Sequence, residues 1–177
     1  MVVGFVDLAA GLPVNKKGKK MKNLTILCKK LHPDAIIPQY QTEGAACFDF
    51  HALVPTLEQS NIFVQIPPGK QVIVRTGIQM NIPDGYEIQV RSRSGLAAKK
   101  KIIVSNSPGT IDSDYLNEIF IILMNMGDEI FCINNGDRIA QGCIKKVLKA
   151  DISEVDHFDA DVFKKDRGGG LGSTGMK

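Results

Sequence analysis

The sequence predicts an all-β protein, a sandwich, jelly roll or barrel built from many short strands. Three observations predict it. Short runs rich in Ile, Val and Phe recur from Asn23 onward. Turn-forming Pro, Gly, Asn and Asp separate them. No long stretch keeps an apolar period of 3.6 residues.

The first clear strand is "NIFVQI", ended by "PPGK". "QVIVRT" follows, then "GIQMNI", where Ile78, Met80 and Ile82 alternate with polar residues as one buried face requires. "PDG" turns the chain into "YEIQV", where Tyr86, Ile88 and Val90 alternate again. "GLAAKK" suits a short helix. "KIIVS", "EIFIILM" and "EIFCI" are further strands, and "NNGD" turns into "RIAQGCIKKVL". "EIFIILM" is apolar on both faces. A sheet wetted on one side does not need that, so either the strand is deeply buried or an interface between copies covers its second face.

At 177 residues and 44% apolar content, one domain with a real core is expected. The predicted organisation is a disordered leader or appended extension over 1–22, one domain over 23–163 and a glycine-rich arm over 164–177. The net charge of +3 is misleading, because the leader holds Lys16, Lys17, Lys19, Lys20 and Lys22 against Asp7 alone. The remainder is close to neutral, so no nucleic-acid partner is expected. No apolar run approaches the ~20 residues that span a bilayer, so no membrane association is expected. Cys28, Cys47, Cys132 and Cys143 lie far apart and have no zinc spacing with His32, His51 or His157. They read as buried, reduced thiols of a cytoplasmic protein, with the nucleus open if the source is eukaryotic or viral.

Five short stretches carry chemistry. "GAACFDF" leads to Asp49, an acid in an apolar strand that, if buried, must be paired or metal-associated; a turn-facing Asp that caps a loop is the plainer reading. "RSRSGLA" offers the Arg93 fork, the Ser94 hydroxyl and the unobstructed Gly95 N–H, which together suit a phosphate oxygen. A polar surface turn is the plainer reading of that stretch alone. "SNSPGTIDSDYLNEI" places Asn106, able to read a base edge, ahead of a Pro108-Gly109 turn and of Asp112, Asp114 and Tyr115. A carboxylate there can deprotonate a water near a polyphosphate; alone, an Asx-turn hairpin with solvated acids is the plainer reading of the stretch. "GDRIAQ" reads as a turn with a structural Asp137–Arg138 pair, and Gln141 could reach a phosphate. "DRGGGLGSTGMK" ends the chain.

In that order and spacing, the five stretches resemble the motifs of the trimeric dUTPases, and the resemblance covers roughly Leu24 to Gly175. It implies a distorted, β-clip-like jelly roll. It implies a homotrimer with C-terminal arm exchange and active sites shared between subunits. The implied reaction is Mg2+-assisted hydrolysis of dUTP to dUMP and pyrophosphate, which supplies dUMP and limits uracil in DNA. Asp112 matches the general base. Asn106 matches the uracil ligand, with Gly109, Thr110, Ile111 and Phe120 lining the nucleoside pocket. Tyr115 matches the ring that packs under deoxyribose and excludes a 2′-hydroxyl. Arg93, Ser94, Gly95 and Gln141 match phosphate contacts. Asp49 matches the acid near Mg2+, acting through water. Arg167 matches the γ-phosphate partner on a mobile arm, where Leu171, Gly172, Ser173 and Thr174 add contacts.

The chain departs from the family pattern mildly at Arg91 and Ser92 of the phosphate loop and more clearly at two other places. Leu171 stands where the family has Phe, on an arm one residue shorter, so it covers uracil without stacking. Leu116-Asn117 replaces the usual Arg-Gly after Tyr115, and Asn117 is expected to serve if that glycine needs a positive φ. Two rivals remain. A dCTP deaminase shares the fold but has a different phosphate loop. A regulatory protein of this fold would use a protein partner, with the leader and "DISEVDHFDADVF" as the places to look.

Overall fold

The computed structural model describes residues 24–54 and 63–158. The predicted leader and the arm, with Arg167, Leu171, Gly172, Ser173 and Thr174, lie outside the described residues. The elements are β1 (Leu27–Lys30), β2 (Phe48–His51), β3 (Val64–Ile66), β4 (Gln71–Arg75), β5 (Ile78–Asn81) and β6 (Tyr86–Arg91), then α1 (Ser94–Lys100), β7 (Ile102–Val104), β8 (Gly109–Ile111), β9 (Phe120–Asn125), β10 (Phe131–Ile133) and β11 (Arg138–Lys146). The chain divides after Val147, and the described part of the second unit, 148–158, forms neither helix nor strand.

The pairing defines a distorted jelly roll. β2 pairs with β11, β3 with β10 and β4 with β9, three nested antiparallel ladders that wind the chain back along itself. β6 and β8 extend the first ladder into the sheet β2-β11-β6-β8, and β7 extends the last into β4-β9-β7. β1 pairs only with β5. The predicted alternation holds where it was clearest: Ile88 and Val90 of β6 are buried, as are Ile78 and Met80 of β5. Both sheets feed one core, with Phe50, Ile88 and Ile139 from one and Val74, Ile121 and Leu123 from the other. Burying such a side chain fully contributes about 1.5–3 kcal/mol. Gly142 of β11 is there because of contact: a Cβ would lie 2.4 Å from Phe48 Cε2 and 2.8 Å from Phe50 Cε2. The two rings meet edge to face at 5.3 Å over that bare backbone.

β9 buries Ile121, Leu123 and Asn125 inward. Buried Asn125 is fully used: Nδ2 donates to the Ile66 and Glu129 carbonyls, and Oδ1 accepts from Gly127 N–H. The other face carries Phe120, 45% exposed, with half-buried Ile122 and Met124. Ile73 of β4, paired with Ile122, is 63% exposed on the same side. The doubly apolar run thus covers the core with one face and leaves the other open.

Two expectations need correction. Asn117 does not take a positive φ; among the described residues Lys101, which ends α1, is the non-glycine residue that does, at φ 56°. The turn after Tyr115 therefore needs no left-handed residue. The thiols are free, but they are not all buried: Cys143 is buried, Cys28 and Cys47 half-buried and Cys132 exposed. Burial pushes the Cys28 thiol up to about 11. The folded chain therefore holds a proton that the unfolded chain releases from about pH 9, and this contribution to stability is lost as pH rises from about 9 to 11. At pH 8, iodoacetamide is expected to label Cys132 at least about tenfold faster than Cys28. Peptide mass mapping over a time course checks this, and equal rates would contradict the burial.

Candidate active site

The hairpin after β7 builds a cleft of about 290 Å³. Asn106 enters from the β7–β8 turn, where the Ser107–Pro108 peptide is cis. Its amide lies over the backbone of Gly109, where a Cβ would come within 2.9 Å of Asn106 Nδ2. Thr110 and Ile111 follow on β8, Asp112 directly after it, and Phe120 opens β9 on the opposite wall. Tyr115 completes the lining; its N–H donates to the Asp112 carbonyl at 3.2 Å and its hydroxyl to the Glu118 carbonyl at 2.7 Å. Asp112 is exposed, and its carboxylate has no hydrogen bond or ion pair among the described residues. Its neighbour Asp114 does not line the cleft. Ile73, Ile119 and Ile122 do line it. Sequence reading missed these three, because only the β4–β9 pairing brings Ile73 to the cleft.

A second cluster forms around Asp49. Its side chain, 4% exposed, lies between two guanidinium groups. Arg138 Nη1 donates to Oδ2 at 3.1 Å, and Arg93 Nε stands 3.4 Å from Oδ1. Arg93 Nη1 also donates to the Arg138 carbonyl at 2.7 Å. Arg138 thus reaches across to β2 rather than pairing with Asp137, whose carboxylate accepts the Asn134 N–H at 2.8 Å. Arg93 precedes α1, and Ser94 and Gly95 are exposed at the start of that helix. Ser92 Oγ accepts the Val104 N–H at 2.8 Å and ties this loop to β7. Gln141 of β11 pairs with Asp49 on one side and Arg91 on the other. His51 adjoins the cluster. Burial, helped by the Arg138 and Arg93 charges and opposed by Asp49, holds its imidazole below the usual pKa.

The structure therefore brings Asn106, Thr110, Ile111, Asp112, Tyr115 and Phe120 together in one cleft. It brings Arg93, Gln141 and Asp49 together in another place, and none of these three, nor Ser94 or Gly95, lines the cleft within one chain.

Comparison with known proteins meets this geometry from outside. The family model described as dUTPase matches residues 33–175. A deoxyuridine 5'-triphosphate nucleotidohydrolase of Wolinella succinogenes is 47% identical over 157 residues, covering 88% of this chain and 97% of that one. One of Helicobacter pylori is 45% identical over 154 residues, covering 86% and 98%. Among solved structures, the Staphylococcus bacteriophage 80alpha dUTPase with dUPNHPP superposes with a TM-score of 0.73 at 21% identity, covering 86% of this chain and 99% of that one. A point mutant of the dUTPase from phage phi11 of S. aureus, described as coordinating a structural Mg(II) ion, superposes at 0.66 and 21%, covering 76% and 98%. The structures match the fold, the bacterial relatives match the sequence across nearly their full length, and the chain belongs to the dUTPase family.

Proposed function

We propose that this protein hydrolyses dUTP to dUMP and pyrophosphate. The observation that carries the reading is the cleft in which an amide able to read a base, a carboxylate free of partners among the described residues and a tyrosine ring line one cavity. Asn106 and the Gly109–Ile111 backbone bind uracil. Tyr115 packs against the deoxyribose and leaves no room for a 2′-hydroxyl, while Phe120 closes the apolar wall. Asp112 holds a water against the α-phosphorus and takes its proton as the water attacks; pyrophosphate leaves on the far side. An exposed carboxylate with no ion pair is free to accept that proton.

The second cluster binds the phosphates. Arg93 spends Nε and Nη1 on Asp49 and the Arg138 carbonyl, which sets the guanidinium plane and leaves Nη2 with the Ser94 hydroxyl and Gly95 N–H to donate to phosphate. Gln141 adds a contact. Because these residues do not line the cleft of their own chain, we assign them to the cleft of another copy in a homotrimer. The open apolar face of Ile73, Phe120, Ile122 and Met124 supports an interface beside the cleft. Arg167, Leu171, Gly172, Ser173 and Thr174 then close over the triphosphate from a C-terminal arm and expel water.

Among the described residues no three His, Cys, Asp or Glu gather to hold a metal. Asp49 already faces two guanidiniums, yet its buried Oδ1 has no hydrogen-bond partner. A single orphaned carboxylate oxygen suits a metal bound mainly by the triphosphate, so Asp49 would hold Mg2+ through water, and the ion would supply neutralisation of phosphate charge there. A cytoplasmic enzyme of this kind supplies dUMP and keeps uracil out of DNA.

Pyrophosphate release tests the reading. The intact chain and a chain ending at Asp166 are assayed with Mg2+ and dUTP, dCTP, dTTP or UTP. Release confined to dUTP, and lowered about a hundredfold or more by truncation, is expected. Ammonia from dCTP would assign deamination instead, and no release from dUTP would overturn the proposal.

A further inference from the structure

The loop Asp112–Ile119 carries two assigned residues yet has neither helix nor strand. Its order has to come from contacts, and these converge from one place, the corner between β4 and β5. Arg75 grips the Glu118 carboxylate with two nitrogens, Nε to Oε1 at 3.1 Å and Nη2 to Oε2 at 3.0 Å. The Gly77 N–H donates to the same Oε1 at 2.8 Å. Thr76 Oγ1 donates to the Ile119 carbonyl at 2.6 Å, and the Gln79 side-chain amide donates to the Leu116 carbonyl. The Ile119 N–H donates to the Ile78 carbonyl at 2.8 Å.

The corner itself is hard to move. Gly77 has φ +66°, and a Cβ there would lie 2.7 Å from Leu53 Cδ2 and 2.8 Å from Ala35 Cβ. Both contacts are to buried side chains. The other end of the clamp is Tyr115, whose hydroxyl is tied to the Glu118 carbonyl at 2.7 Å. Glu118 is thus gripped through its carboxylate and holds the phenol through its main chain.

We infer that Glu118, clamped by Arg75 and Gly77, is a positioning residue that fixes the Tyr115 ring and thereby the discrimination between deoxyribose and ribose. This rests on the dUTP reading above. It also explains how the loop keeps its shape with Leu116-Asn117: the contacts from Arg75, Gly77 and Gln79 supply an anchor from outside the loop. A plain surface ion pair would predict otherwise. Arg75 is 49% exposed on its side chain, and exposed pairs contribute little. Glu118, at 12%, is the side that burial and the Gly77 N–H lock in place.

The test uses the intact protein with Glu118→Ala, Glu118→Gln and Arg75→Met. Amide hydrogen exchange of 112–118 is followed without nucleotide, and kcat/KM is measured for dUTP and for UTP. Glu118→Ala is expected to speed exchange in this loop about tenfold or more. It is also expected to lower the dUTP:UTP ratio of kcat/KM about tenfold. Glu118→Gln keeps an oxygen for the Gly77 N–H and is expected to hold the ratio within about threefold of the parent. Exchange at the parent rate in Glu118→Ala overturns the clamp, as does an equal loss on both nucleotides with the ratio unchanged. Should Glu118→Ala not fold, Arg75→Met, which takes two donors from the largely buried Glu118 carboxylate, is expected to move both readouts in the same direction, and parent values in both overturn the clamp. A parent that releases no pyrophosphate sinks the dUTP reading, while the exchange rates still decide whether the clamp orders the loop.

Discussion

Replacing Asp112 with asparagine is expected to lower kcat for dUTP about 10²- to 10⁴-fold while KM stays near its parent value. The amide keeps the size of the side chain and loses only the ability to take a proton. The carboxylate has no partner among the described residues, so no described contact depends on its charge, and the melting temperature should not move. The neighbouring acid makes the control. Asp114 is two residues away and also exposed, but it does not line the cleft. Asp114→Asn is expected to stay within about threefold of the parent, because an exposed side chain outside the site contributes little. Steady-state kinetics on the two variants, with melting curves alongside, decides the matter. Comparable losses in both would mean that the loop's total charge matters and that Asp112 is not the base.

The contrast between these two acids also shows where the sequence is readable. The five stretches point to the family because each is local, and the cleft gathers residues of one of them, from Asn106 to Ile119. The strands were readable where one face is buried and the other wet, as in β6, and where both faces are apolar, as in β9. β1 was not marked as a strand by its pattern: Leu27 is exposed, two lysines follow, and its only ladder is with β5. Partners distant in sequence left no local trace. Arg75 and Glu118 are 43 residues apart, and Arg138 and Asp49 are 89 apart. A sequence can show that a buried acid needs a partner, but the nesting of the jelly roll chooses which cation arrives. Asp137 is adjacent to Arg138 in the chain, yet it sits in the turn before β11, where its carboxylate accepts the Asn134 N–H, while Arg138 opens the strand and reaches Asp49.

The Asp49 cluster is where that choice of partner has the largest consequence for stability. Arg138→Met is expected to destabilise the fold by about 3 kcal/mol. Asp49 stays in a site where its side chain is 4% exposed and loses the donor at 3.1 Å, so among the described residues a buried acid is left with Arg93 alone. Removing the acid should cost less than removing the arginine. In Asp49→Asn the two guanidiniums left behind are 24% and 43% exposed on their side chains and can turn to water. An expected cost of about 1 kcal/mol follows from one weakened hydrogen bond. For a chain of this size each kcal/mol moves the melting temperature by about 2–4 °C, so the two variants separate clearly by calorimetry. The proposed phosphate loop reports independently. Arg93 is oriented by Asp49 and by the Arg138 carbonyl, a main-chain group that survives in Arg138→Met. KM for dUTP is therefore expected to rise more in Asp49→Asn than in Arg138→Met, the reverse of the stability order. If both orders ran the same way, the cluster would be acting through stability alone, and Asp49 would not be aiming Arg93 at phosphate.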